Sequence, residues 1–156
     1  MNNNLDKILS FIVEIGITLS EEKLEDGTFL PGLKIDRGVI ILDREKLLYP
    51  GDVLHEAGHI ALMTAQERRT IVGNVKAFRS PMQDDEMGVM AWSFAAAKHL
   101  EIPAKEVFHD GGYKGEADYL LQEYETGQVR GLPLLVWMNL TSYECYPKMK
   151  RWVRED

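Results

Sequence analysis

Cysteine is almost absent from this sequence, and so are other signals that would assign the chain to a specialised environment. Cys145 is the single cysteine, so no disulfide can form within the chain. No uncharged run approaches the roughly 18 apolar residues that cross a bilayer, and no basic segment precedes the first apolar stretch as it would in a secretory signal. The formal net charge of −7 opposes non-specific binding to nucleic acids or anionic lipids. We therefore expect a cytoplasmic protein that has neither nucleic acid nor a membrane as a partner.

The sequence has enough apolar residues for one ordinary hydrophobic core. Of its 156 residues, 45% are hydrophobic and 28% are charged, a balance that is typical of a single globular domain. It contains no internal repeat, low-complexity linker or shift in composition that would divide it. We predict one domain over residues 1–156.

Apolar periodicity predicts an α+β domain that is mostly helical and carries a small antiparallel sheet. Two strands, at residues 28–35 and 39–42, form the predicted hairpin around a turn at 36–38, and Pro31 favours an edge position for the first strand. Helices are predicted over residues 4–15, from Asp52 as N-cap to about 65, and over 84–100, 103–107, 116–124, 132–140 and 147–153. Residues 66–82 lack a sustained period and are predicted to form a loop, with room for a short strand at 70–75.

The pentapeptide His-Glu-Ala-Gly-His at residues 55–59 is the strongest chemical signal in the chain. If the apolar segment around it is helical, His55 and His59 lie one turn apart on the same face, where both imidazoles can bind one metal ion. Glu56 then stands beside a water molecule on that metal. A chance occurrence on a surface helix is the alternative, but the apolar neighbours would then bury an imidazole pair without a ligand, which is costly. Because glycine in a helix costs about 1 kcal/mol relative to alanine, Gly58 indicates that another part of the chain packs closely there.

The segment around the pentapeptide resembles the extended signature of zincin metallopeptidases, in which uncharged residues surround H-E-x-x-H. The residues that comply are Val53, Ala57, Gly58, Ile60 and Ala61. Asp52 departs from the signature, since that position is more often apolar or threonine, and a role as helix N-cap explains the departure. The resemblance implies a zincin-like zinc hydrolase whose cofactor is Zn²⁺ and whose substrate is a peptide or protein.

A catalytic zinc site takes three protein ligands and leaves the fourth position to water, so a third ligand is needed. Neither Ala65 nor Gln66, where a metzincin would carry its third histidine, is a ligand. Gluzincins instead use a glutamate on a second helix, and residues 84–91 loosely resemble that helix in small gluzincins and in bacterial metallopeptidases that cleave phage-type repressors. This resemblance implies Glu86 as the third ligand beside His55 and His59. The alternatives are Asp84, Asp85, Glu116 and Glu123.

A second polar cluster lies at residues 109–113, after the helix predicted at 103–107. Zinc peptidases commonly use a histidine or tyrosine to steady the tetrahedral oxyanion, so His109 and Tyr113 are candidate catalytic residues. A glycine turn whose polar residues face water is the plainer interpretation. His99, on the apolar helix, is interpreted as a core or surface histidine.

Three functions are compatible with these residues. The first is hydrolysis of peptide bonds, in which zinc lowers the pKa of its water to about 7 and Glu56 acts as general base. An extended substrate would add to the edge of the strand at residues 39–42. The second function is a zinc-containing regulatory or protein-binding module with little turnover. The third is hydrolysis of a small non-peptide amide in a narrow, closed pocket.

Overall fold

Helices and one small sheet make up the parts of the chain that the computed structural model describes, which are residues 3–28, 30–71, 86–109 and 117–155. The helices are α1 Asn3–Glu14, α2 Pro50–Ala61, α3 Ala65–Thr70, α4 Glu86–Leu100, α5 Ala117–Glu125 and α6 Leu132–Trp137. The strands are β1 Thr18–Glu21, β2 Leu33–Asp36 and β3 Val39–Leu42, and a 3₁₀ turn spans Ala104–Glu106. These elements confirm the predicted α+β class. Among the described residues, no helix combines the length and the apolar character needed to cross a membrane.

The first helix packs on the core through one apolar face, as its periodicity predicts. Its buried residues are Leu5, Ile8, Leu9, Phe11 and Ile12. These positions recur every three or four residues, so they form a single stripe along the helix. The stripe lies against α2, β1 and α4. The helix predicted at residues 4–15 is therefore confirmed.

The described strands form one mixed sheet in the order β1-β3-β2. The predicted hairpin of β2 and β3 is confirmed, and its turn residues Arg37 and Gly38 have the positive φ angles of 47° and 83° that suit a two-residue connection. The first strand begins at Leu33 rather than at residue 28, because the chain turns back so that Leu30 bridges Leu33.

Strand β1 was not predicted, and its position changes the sheet. It has only one apolar residue, Leu19, and no buried one, so the alternation that identifies a strand is weak. It pairs in parallel with β3, on the side away from β2. The sheet is therefore not purely antiparallel, and β3 is its central strand.

Helices α2 and α4 pack closely against each other at Gly58. A Cβ atom on Gly58 would lie 3.0 Å from side-chain atoms of both Trp92 and Val89 on α4. This confirms the close packing expected at residue 58. Helix α4 is buried without interruption from Gly88 to Ala97, as expected for a central helix.

Residues 65–70 form α3, so the loop predicted to begin at residue 66 is wrong there. Thr64 and Glu67 make a capping box, in which each side chain accepts the backbone N–H of the other residue. This cap stabilises a short helix that has no buried face, and apolar periodicity cannot detect such a helix. Most of the short strand that the sequence left possible at residues 70–75 lies outside the described residues.

The helix predicted at residues 147–153 is also wrong, because the backbone of this segment bonds to other elements. The N–H groups of Lys150 and Arg151 both donate to the carbonyl of Leu140, at 2.8 and 3.3 Å. The carbonyl of Trp152 accepts from the indole N–H of Trp92 at 2.9 Å. These bonds tie the C-terminal segment to α4 and to the end of α6, and they take the place of helical i to i+4 bonds.

Gly131, at the N-cap of α6, packs closely against the first turn of α4. Its φ angle is +88°, and a Cβ atom there would lie 2.1 Å from the carbonyl oxygen of Met87. Gly127 has a similar φ angle of +90°, but a Cβ atom built on Gly127 would have no neighbouring atom within 4 Å. The two glycines therefore have the same backbone conformation and differ in how closely they pack.

We expect Gly131→Ala to lower the free energy of unfolding more than Gly127→Ala does. Both variants place a side chain at positive φ, which costs roughly 1–2 kcal/mol. Only the variant at 131 also collides with backbone, which adds roughly 1–3 kcal/mol. Chemical denaturation of the two variants measures the difference, and equal losses would contradict the packing at Met87.

Candidate metal centre

Helix α2 presents the side chains of the pentapeptide inside the fold. Pro50 occupies its first turn, where the missing N–H of proline costs nothing. From there, one helical turn aligns His55 with His59, whose ring centroids are 5.0 Å apart. His59 is 5% exposed and Glu56 is 8% exposed. All three chemical groups of the motif are thus withdrawn from bulk water.

Glu86, the first residue of α4, reaches both histidines. Its Oε1 lies 2.9 Å from Nε2 of His55, and its Oε2 lies 3.2 Å from Nε2 of His59. The helix packing at Gly58 brings the start of α4 over this face of α2. The structure therefore brings together the three residues that the sequence singled out as metal ligands.

The donor atoms of His55, His59 and Glu86 fit a small divalent cation. All three lie within 4.8 Å of one another. Ligand atoms bound to zinc at 2.0–2.2 Å in a tetrahedron are about 3.4 Å apart, and the two measured separations are close to that value. Two imidazoles and one carboxylate are a donor set found in catalytic zinc sites, although imidazole and carboxylate also accept other divalent metals.

The two carboxylates of the site are perturbed in opposite directions. Burial by itself would raise the pKa of Glu86, but hydrogen bonds from His55 and His59 outweigh it and hold that pKa well below its usual range. Burial raises the pKa of Glu56, and the nearby histidines offset this only in part. Glu86 is therefore suited to remain an ionised ligand, and Glu56 is suited to hold a proton.

Of the alternatives to Glu86, Glu123 is the one that lies within the described residues. Glu123 lies on α5, and its carboxylate is paired with Arg130 at 2.9 Å. Asp84, Asp85 and Glu116 lie outside the described residues, as does the candidate catalytic residue Tyr113.

His109 is fastened to the first turn of α2, one turn before His55 and Glu56. Its Nε2 lies 2.7 Å from Oδ1 of Asp52, and both side chains are 12% exposed. Its ring is stacked on Tyr49, with ring centroids 3.8 Å apart and planes 7° apart. Among the described residues it does not belong to the group formed by His55, His59 and Glu86.

The predicted role of Asp52 as helix N-cap is wrong. Tyr49 occupies the N-cap position without a side-chain cap, and Asp52 lies within the first turn. There its carboxylate interacts with His109, and its negative charge suits the positive end of the helix dipole. The departure of Asp52 from the zincin signature was the sequence signal that could have suggested a special partner at this position.

His99 lies among aromatic rings, which agrees with its interpretation as a core or surface histidine. Its ring centroid is 5.6 Å from that of Phe11 and 5.3 Å from that of Trp152. It is on the last turn of α4, at the opposite end of that helix from Glu86.

A groove of about 740 Å³ opens beside Glu56. It is lined by residues 22–28, Leu30, residues 33–35, Ile41 and Glu56. Sequence reasoning missed this groove because its wall comes from a polar loop that has no motif. The prediction that a substrate adds to the strand at residues 39–42 is wrong, because β3 is paired with β1 on one side and with β2 on the other.

We expect the protein to bind one equivalent of Zn²⁺ through His55, His59 and Glu86. At a free metal concentration a hundredfold above Kd, binding would stabilise the fold by about 2.7 kcal/mol, so chelation should lower the melting temperature. Glu86→Gln should weaken zinc affinity and reduce this shift, whereas Glu123→Gln should preserve the affinity. Calorimetric titration and thermal melts of both variants test this, and unchanged affinity in Glu86→Gln would exclude Glu86 as a ligand.

Comparison with known proteins offers no relative from which a function could be transferred: no protein-family model, curated protein or solved structure significantly matches this chain.

Proposed function

We propose that this protein is a zinc-dependent peptidase of the gluzincin type. The proposal depends above all on the convergence of Glu86 with His55 and His59, at 2.9 and 3.2 Å, next to the buried carboxyl group of Glu56. A structural zinc site closes its coordination with four protein ligands. The group formed by His55, His59 and Glu86 has the three ligands of a catalytic site, which keeps its fourth position for a reactant.

Glu56 would act as the general base. A zinc ion held by the three ligands supplies a Lewis acid that polarises a substrate carbonyl and lowers the pKa of a water molecule. Glu56 follows His55 directly on α2, so its carboxylate can accept a proton from the attacking water and pass it to the leaving nitrogen. Its pKa is raised by burial, which favours the protonated form that must exist between these two transfers.

His109 would stabilise the oxyanion that forms during attack. The interaction with Asp52 and the stacking on Tyr49 fix the ring beside the first turn of α2, the helix that carries Glu56. A ring that is fixed before the substrate binds needs no reorganisation as negative charge develops. Tyr113 remains a second candidate for this role.

A polypeptide fits the groove better than a small amide does. The groove is open, because its walls include the exposed residues Glu25 and Lys34. Its other wall is β2, which in the described sheet pairs only with β3. The free edge of a sheet is where an extended peptide adds as a further strand.

A cytoplasmic location is part of the proposal. It is based on the single cysteine, Cys145, which is exposed and free. An exposed thiol of this kind is best tolerated in a reducing compartment.

Glu56→Gln should retain zinc and lose hydrolysis. The substitution keeps the shape of the side chain but removes the basic oxygen, and we expect the rate to fall at least a hundredfold. The measurement is the appearance of new peptide termini when zinc-loaded protein is incubated with a complex peptide library. Glu22→Gln, an exposed glutamate of the same groove, is the matched control and should remain active.

Two outcomes would contradict this proposal. Full activity in Glu56→Gln would remove Glu56 from the mechanism. A zinc-loaded wild-type protein that generates no new termini would favour the protein-binding module instead.

His109→Gln should lower kcat by roughly a hundredfold or more while zinc affinity stays the same, because an oxyanion donor acts only on the transition state. His99→Gln is the matched control, since His99 lies at the far end of α4 among aromatic rings. Steady-state kinetics on one peptide substrate separate kcat from KM. A change confined to KM would assign His109 to substrate binding rather than to catalysis.

A further inference from the structure

Several of the residues that line the groove beside Glu56 are apolar. Leu24, Leu30 and Ile41 line it with partly buried side chains, and Leu33 lines it with a buried one. Partly buried apolar groups are stabilised further when a ligand covers them. The cavity of about 740 Å³ lies within the range of about 300–1,000 Å³ that is typical of protein ligand sites.

Leu24 is held in place through both of its backbone groups. Its N–H donates to Oδ2 of Asp43 at 2.9 Å, and its carbonyl accepts from Nζ of Lys46. Asp43 is 6% exposed and also accepts the N–H of Glu45 at 3.1 Å. The hydrogen bond from Leu24 lowers the pKa of Asp43, so the carboxylate stays charged and the anchor persists. Leu24 is therefore positioned before a ligand arrives, which reduces the entropy lost on binding.

The rim of the groove carries charges of both signs. The acidic residues are Glu22, Glu25 and Asp26, and the basic residues are Lys23 and Lys34. Asp26 is also paired with Lys46 at 3.1 Å. Because charges of both signs are present, the apolar part of the lining is the more selective part of the groove.

We propose that Leu24 is a specificity-determining residue that binds a large apolar side chain of an extended peptide substrate. The inference rests on the proposed function, because it takes the substrate to be a polypeptide that is cleaved beside Glu56. Small changes in an apolar pocket alter kcat/KM by roughly 10- to 200-fold. Substrates with leucine, methionine or phenylalanine at one fixed distance from the cleaved bond are therefore favoured over those with glycine or aspartate there.

Profiling of a peptide library by mass spectrometry tests the preference. The wild-type protein should enrich large apolar residues at one position relative to the cleaved bond. Two peptides that differ only at that position, with leucine or glycine, then give the selectivity as a ratio of kcat/KM values. A flat profile, or enrichment of charged residues, would overturn the proposal.

Leu24→Ala should lower kcat/KM for the leucine peptide about tenfold or more and leave that for the glycine peptide unchanged. Val13→Ala, at an exposed position on α1 outside the groove, is the control and should alter neither. Asp43→Asn keeps Leu24 but weakens its anchor, so it should reduce the selectivity ratio in the same direction. Equal effects of Leu24→Ala on both peptides would overturn the proposal while leaving the proposed function intact.

Binding to zinc-loaded Glu56→Gln separates this inference from the proposed function. The leucine peptide should bind this variant at least tenfold more tightly than the glycine peptide, and adding Leu24→Ala should abolish the difference. If the wild-type protein cleaves nothing but this difference is measured, the peptidase function fails and the apolar subsite stands. If both peptides bind equally or not at all, the subsite is overturned.

Discussion

The close contact between α2 and α4 is the constraint on which the candidate site depends. Side-chain atoms of Trp92 and Val89 lie 3.0 Å from where a Cβ on Gly58 would be, and a Cβ on Gly88 would lie 3.0 Å from the side chain of Leu62, the C-cap residue of α2. At this separation the first residue of α4 comes within hydrogen-bonding distance of two imidazoles on α2. A wider gap between the helices would leave Glu86 out of reach, and the donor set would be incomplete.

This arrangement places several ionisable groups where apolar side chains would be more stable. Glu56 and His59 are each less than a tenth exposed, and Asp52 is about a tenth exposed. Partial compensation comes from pairing, in which Glu86 accepts from the motif histidines and Asp52 interacts with His109. A metal ion would add a further favourable interaction. Accumulation of costly polar groups along one helix of an otherwise apolar pair is typical of a functional site.

The loop at residues 22–28 lines the groove together with residues of the sheet and Glu56. Its contacts with Asp43 and Lys46 anchor it at Leu24. The sheet therefore has two roles, since its buried face packs on the helices and β2 forms a wall of the groove.

Sequence reasoning correctly identified the hairpin from its turn residues but could not show which strand faces the site. Strand order is set by β1, a four-residue strand without a buried side chain.

The sequence by itself determined the features that depend on local spacing. The histidines of α2 lie on one face because four residues make about one helical turn, and Gly58 indicated a close neighbour because glycine is unfavourable within a helix. Most helices followed from apolar periodicity. Only the tertiary structure decided what depends on residues far apart in the chain. It brought Glu86 to the histidines, paired Asp52 with His109, made β3 the central strand and bonded the C-terminal segment to α4 and α6. These contacts arise from the packing of helices and strands, and no local pattern in the sequence specifies them.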